Sequence, residues 1–297
     1  MKTSKALLST IGIILISGGL VFGIAGETKD KLLHEGTSMY FPTAIDFAGE
    51  STPLQITDVK ERLDRELLVN ANLDATTALI IKRANRAFPV IEPILAKYGV
   101  PDDFKYLAVI ESGLINATSP SGAKGVWQFM PDTAKEKGME VNDIVDERYH
   151  LEKSTEAACK YFLAAKEKFG TWTLAAASYN GGMTGVGKRI EDQKVNDYYD
   201  LGLTDETARY VFRILALKEI MKNPAQYGFS IFPSDLYAPI PSKKIEVDST
   251  ITDLADFAKA QGINYKILKL HNPWLRDKKL LNPSKKKYEI EIPLSGY

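Results

Sequence analysis

A glutamate that closes an otherwise apolar helical stripe is the residue of this chain best placed for chemistry. In Pro101-Asp102-Asp103-Phe104-Lys105-Tyr106-Leu107-Ala108-Val109-Ile110-Glu111-Ser112-Gly113, the proline and two aspartates open a helix and Gly113 caps it. Phe104, Leu107, Ala108 and Glu111 stand at i, i+3, i+4 and i+7, so the acid continues the apolar face. Burial disfavours a carboxylate, and so does the negative end of a helix dipole. Both effects keep Glu111 protonated to higher pH than a solvated glutamate, which is the property a proton donor needs. A plain alternative is a helix-end glutamate paired with a neighbouring cation.

Three further segments carry polar and glycine residues in a suggestive order. They are Ser121-Gly122-Ala123-Lys124-Gly125-Val126-Trp127-Gln128-Phe129-Met130-Pro131, then Ala177-Ser178-Tyr179-Asn180-Gly181-Gly182, then Glu206-Thr207-Ala208-Arg209-Tyr210-Val211. Together with Glu111-Ser112 they resemble the motifs of the soluble lytic transglycosylase family, a relative of goose-type lysozyme. The resemblance spans about residues 85–225, and from Phe41 onward the chain is most similar to the membrane-bound lytic transglycosylase D group. The family's third motif reads Ala-Tyr-Asn, and Ser178 stands here in place of the alanine.

The resemblance implies a peptidoglycan-cleaving enzyme in which one glutamate makes both proton transfers. Glu111 would protonate the oxygen between N-acetylmuramic acid and N-acetylglucosamine, then take the proton of the muramyl C6 hydroxyl. Closure of that oxygen onto C1 gives a 1,6-anhydro sugar without water, an intramolecular attack at high effective concentration. It further implies substrate-binding roles for Ser112, Gly125, Gln128, Phe129, Tyr179, Asn180 and Tyr210. Asn180 would position the N-acetyl group and Tyr210 would face the acid. Trp127 is divided between core and groove, with core favoured. No cofactor or metal is implied. Two other readings stay open: a hydrolase that uses a second carboxylate to activate water, for which Asp132, Asp143 and Asp146 are candidates, and a non-catalytic glycan-binding envelope protein.

Composition narrows the setting. With 297 residues and 44% hydrophobic content the chain can bury a large core. Thirty-eight basic and 38 acidic residues cancel, which argues against a nucleic-acid partner. His34, His150 and His271 are scattered without metal-ligand spacing. Cys159 is the one cysteine, so no internal disulfide can form, and its helical, apolar surroundings suit a small core residue. Lys2 and Lys5 precede an uncharged run over 6–26, which reads as a secretory signal cleaved near Ala25 or as a retained membrane anchor. Either places the remainder outside the cytoplasm, in the periplasm or cell envelope. With no cysteine close behind the run, a lipoprotein is not expected.

These elements must position the acid. Residues 1–26 form the signal or anchor and 27–56 an extended tether, with Tyr40, Phe41, Ile45 and Phe47 available to pack. A lysozyme-like domain is expected over 57–230. Its helices fall at 57–69, 74–86, 88–98, 101–113, 131–137, 151–169, 172–179 and 205–221, with Pro89 separating the second from the third. After Pro239 and Pro241, a strand at 245–247, helices near 251–261 and 267–271, and a strand ending at Ile292 make a βααβ unit. Over 240–297 this resembles the lysin motif (LysM), although Val247-Asp248-Ser249-Thr250 replaces that family's usual Gly-Asp-Ser/Thr start. The unit carries 11 basic and 7 acidic residues, a mild match to anionic wall polymers. Peptidoglycan glycan strands are thus the expected partner, and the fold class is α+β. If the unit is a tethered binder, its removal weakens binding to polymeric wall and spares turnover of short glycans.

Overall fold

The computed structural model describes residues 39–295 and Tyr297. The apolar run over 6–26, and with it the signal-or-anchor expectation, lies outside the described residues. Among the described residues no helix is long and apolar enough to cross a membrane.

A small antiparallel hairpin, β1 (Asp46–Phe47) and β2 (Glu50–Ser51), leads into α1 (Thr57–Ala71) and α2 (Asp74–Tyr98). A single 3-10 turn at Asp102–Phe104 runs into α3 (Lys105–Ser112). After a glycine loop come α4 (Pro131–Glu136), α5 (Leu151–Phe169), α6 (Trp172–Gly181), α7 (Met183–Gln193) and α8 (Asp205–Lys222). The chain ends as β3 (Ser242–Val247), α9 (Leu254–Ala260), α10 (Tyr265–His271) and β4 (Tyr288–Pro293). The two long strands pair antiparallel, from Ser242 opposite Pro293 to Val247 opposite Tyr288. The fold is α+β, as expected.

The acid-bearing helix differs from a one-sided amphipathic element. Every residue of α3 from Lys105 to Ile110 is buried, because the helix lies between α2 and α8. Lys105 tolerates this by placing its ammonium 2.7 Å from Glu92 and 2.6 Å from Asp102. Beneath it, the Phe104 ring stacks 4.4 Å from Phe162, 5.0 Å from Phe47 and 5.2 Å from Trp172, centroid to centroid. Burial of each of the three phenylalanine rings, which are fully enclosed, contributes about 1.5–3 kcal/mol.

Two helices expected over 74–86 and 88–98 are one helix. Pro89 and Pro93 deprive the Asn85 and Pro89 carbonyls of their amide partners. Asn85, Pro89 and Pro93 all lie on the exposed face, where water can replace those bonds. The opposite line, Ile80, Ala84, Ala87, Ile91 and Leu95, is buried without interruption, so packing outweighs the prolines. Helix α7 was not anticipated: four glycines surround its start, and Val186 is its one fully buried residue.

From Met39 onward the segment expected to be an extended tether is folded onto the helical domain. Ile45 and Phe47 join the main core. The Glu50 carboxylate accepts from Trp172 N at 2.6 Å, Thr173 N at 2.8 Å and Thr173 Oγ1 at 2.6 Å. It thus caps the positive end of α6. Lys218 reaches the Asp46 carbonyl and the Asp103 carboxylate, fixing the hairpin to α8.

The C-terminal strands and helices have a core of their own. Leu254, Ala258, Leu268, Trp274, Leu275, Leu280, Tyr288, Ile290 and Ile292 build it, and Val145 and Tyr149 from the preceding domain complete it.

Candidate active site

Two turns of α8 face the end of α3. Glu206, Tyr210 and Arg213 stand at i, i+4 and i+7, hence on one helix face. Tyr210 Oη donates to Glu111 Oε1 at 2.5 Å. Arg213 donates to the Ile110 carbonyl at 3.1 Å, and Arg83 to the Gly113 carbonyl at 3.2 Å, so two oxygens at the C-terminal end of α3 take guanidinium donors. Gly113 adopts φ 61°, the left-handed cap the sequence calls for.

Glu111 is half-buried. Burial pushes its carboxyl up to about 7; the Tyr210 hydrogen bond and the Arg213 charge oppose this, while Glu206 adds to it. Near neutral pH both protonation states are populated. Because Oε1 accepts from Tyr210, the acidic proton belongs on Oε2. Tyr210 and Tyr179 are themselves held far above the ordinary phenol range by burial and by the Glu111 charge, so both remain donors.

The glycine loop is stitched to this acid. Ser112 Oγ donates to the Val126 carbonyl at 2.8 Å and to the Ala108 carbonyl at 3.2 Å. Tyr179 Oη donates to the Trp127 carbonyl at 2.7 Å. Gln128 takes a left-handed φ of 51°, and its amide nitrogen donates to the Gly125 carbonyl at 2.7 Å and the Ala117 carbonyl at 3.1 Å. Gly125 is at φ 83°, and a Cβ there would sit 1.8 Å from the Arg148 carbonyl oxygen. That position therefore excludes a side chain for internal packing. Phe129 is buried edge-on against Tyr179. Trp127 lies wholly in the core with its indole N–H on Thr155 Oγ1.

Asn180 is held from both ends: its Nδ2 donates to Glu206 Oε1 at 2.9 Å, and its Oδ1 accepts from Thr207 Oγ1 at 2.7 Å. One amide N–H is left without a partner among the described residues. Gly181 follows because a Cβ there would meet both γ atoms of Thr207 at 3.0–3.1 Å.

Of the sequence-expected residues, Tyr210 touches Glu111 directly, and Asn180 holds Glu206, whose charge acts on the acid. Ser112, Gly125, Gln128, Phe129 and Tyr179 form the loop scaffold alongside. Of the three aspartates weighed as a second carboxylate, Asp132 and Asp143 are exposed, and Asp146 is buried in a bidentate pair with Arg148. Sequence reasoning missed Glu206 and Arg213 as neighbours of the acid, although their spacing from Tyr210 was a usable signal. Among the described residues, no cluster of His, Cys, Asp or Glu could hold a metal ion.

Residues 89–201 match the family model described as the transglycosylase SLT domain, and residues 243–296 match that of the soluble lytic transglycosylase C-terminal LysM-like domain. Two curated relatives, the membrane-bound lytic murein transglycosylases D of Escherichia coli strain K12 and of Escherichia coli O6:H1, are each 31% identical over 182 residues. That match takes in 59% of this chain and 40% of each relative, so the chain spans less than half the length of these proteins. Glu206, Tyr210 and Arg213 lie beyond the matched SLT stretch, yet Tyr210 bonds its glutamate and Arg213 the carbonyl before it. The chain carries a transglycosylase SLT domain followed by a LysM-like domain of the soluble lytic transglycosylase C-terminal type.

Proposed function

We propose that this chain is a peptidoglycan lytic transglycosylase that cleaves the β-1,4 bond between N-acetylmuramic acid and N-acetylglucosamine and leaves 1,6-anhydromuramyl ends. The observation that carries the reading is Glu111, poised at about 7 with Tyr210 on Oε1. A group at that value can give a proton and take one back at neutral pH.

Glu111 Oε2 donates its proton to the glycosidic oxygen as the C1–O bond breaks. The acetamido oxygen of the muramyl sugar bonds to C1 and carries the positive charge as an oxazolinium. The free N–H of Asn180 hydrogen-bonds this acetamido group, in an orientation set by Glu206 and Thr207. The Glu111 carboxylate, now stabilised by Tyr210 and Arg213, removes the C6 hydroxyl proton. O6 attacks C1, the acetamido group is released, and no water is consumed.

Mass analysis of products from purified peptidoglycan tests this: anhydromuramyl ends lack one water relative to hydrolysis. A hydrolase reading has one observation in its favour, a second carboxylate, Glu206, near enough for its charge to act on the acid, and products retaining that water would select it. Cell-wall turnover in the envelope follows from the substrate, with residues 6–26 directing export as signal or anchor. N-terminal sequencing of envelope protein distinguishes these: a start after Ala25 shows cleavage, whereas an intact Met1 in the membrane fraction shows an anchor.

A further inference from the structure

The C-terminal unit meets the catalytic domain along residues 140–152, and the contact is extensive. Val145 bridges Leu275 as an isolated β pair, Asp146 N donates to the Trp274 carbonyl at 2.9 Å, and Arg276 N donates to the Ile144 carbonyl at 2.8 Å. Lys286 pairs with Glu140 at 2.6 Å and with Glu147 at 3.2 Å. The Tyr149 ring belongs to the C-terminal core and lies 4.3 Å beneath the Arg276 guanidinium.

The same short segment grips the glycine loop from its other side. Arg148 is forked onto Asp146 through Nε at 2.9 Å and Nη2 at 2.8 Å. Its Nη1 donates to the Gly122 and Phe129 carbonyls at 3.1 and 3.2 Å. Tyr149 Oη bonds Thr118 Oγ1 at 2.9 Å. Ser112 Oγ on the Val126 carbonyl then joins that loop to the residue after the acid.

We propose that Arg148 and Tyr149 are positioning residues through which the C-terminal unit braces the glycine loop against Glu111. The unit is on this account part of the catalytic body, whatever glycan it binds itself. The kinetic half of the proposal rests on the transglycosylase reading; the structural half does not.

The test uses the full chain with Tyr149→Phe, which keeps the buried ring and removes the hydroxyl, and Arg148→Lys, which keeps the charge and loses the fork. A third variant, Lys286→Met with Arg276→Gln, changes only the C-terminal unit and guards against misfolding of the buried arginine variant. Amide hydrogen exchange at Gly125 and Phe129 is read beside kcat and KM on short soluble glycans, per folded molecule. The expected result is exchange faster by about tenfold and kcat lower by about the same factor, as loss of one buried hydrogen bond allows. The expected pattern also has KM changed less than kcat and the pH profile unmoved. Unchanged exchange overturns the brace, and faster exchange with unchanged kcat overturns the positioning role. If the unaltered protein cleaves no glycan, the functional reading falls alone, and the exchange arm still decides the brace.

Discussion

Glu111→Gln separates the catalytic reading from the structural one, because the two predict opposite signs. A carboxyl whose value rises from 4.5 to about 7 on folding binds more protons folded than unfolded between those pH values. Its stabilising contribution is complete below the unfolded value and is lost as pH climbs through the folded one. The full difference corresponds to roughly 3 kcal/mol above neutrality, and partial solvent access lowers it to about 1–3 kcal/mol. Glutamine removes that penalty and can still accept from Tyr210. The variant should therefore match the parent near pH 4.5 and exceed it by about 1–3 kcal/mol at pH 8, roughly 2–10 °C in melting temperature. Paired thermal melts at the two pH values measure this. Release of anhydromuramyl products should meanwhile fall at least about a hundredfold, since an amide neither gives nor takes the proton. A variant destabilised equally at both pH values would refute the reasoning and return Glu111 to a structural ion pair.

Tyr210→Phe removes a bond that favours the carboxylate, so the alkaline limb of kcat/KM should move to higher pH; Glu206→Gln removes a repelling charge, so it should move lower. Shifts in the same direction would break the assignment. Deleting residues 240–297 uncovers Val145 and Tyr149 and unpairs Glu140, Glu147 and Glu152. Turnover of short glycans and the melting temperature should then both drop, contrary to the behaviour of a loosely tethered binder. Burial pushes the Cys159 thiol up to about 12, so a thiol reagent should label it only after denaturant unfolds the chain.

What the sequence reveals of this site depends on whether a residue's partner is close along the chain. Glu111 is legible because an acid at i+7 of an apolar stripe is anomalous by itself. The helix pattern over 151–169 and 205–221 is likewise local, and the helices form there. Asp146, weighed from sequence as a water-activating carboxylate, is instead buried together with Glu147 and Arg148. Only the fold brings Arg148 to the Gly122 and Phe129 carbonyls, and Lys286 to Glu147. Pro89 misleads for a related reason: its cost is visible in sequence, whereas the solvent exposure that relieves it is not. The alternation at Tyr288, Ile290 and Ile292 marks a strand with one buried face, but cannot show that Val145 and Tyr149 share the core behind it.

The arrangement around Glu111 also bears on why one carboxylate could carry both proton transfers. Burial alone would push the group upward and make it a good acid that is reluctant to ionise. Tyr210 and Arg213 alone would make it a stable carboxylate that rarely holds a proton at neutral pH. Here desolvation and Glu206 act against Tyr210 and Arg213, and the balance falls at about 7. The proposed reaction needs the protonated form in the first step and the carboxylate in the second, so a value near ambient pH keeps either step from bearing the whole energetic cost. Glu206 serves this balance while its Oε1 fixes Asn180. Replacing it therefore touches both the timing of the proton and the grip on the acetamido group. Glu206→Gln keeps an acceptor for Asn180 and removes only the charge, so a displaced pH profile with an unchanged KM would assign Glu206 to the electrostatic half of that pair of tasks.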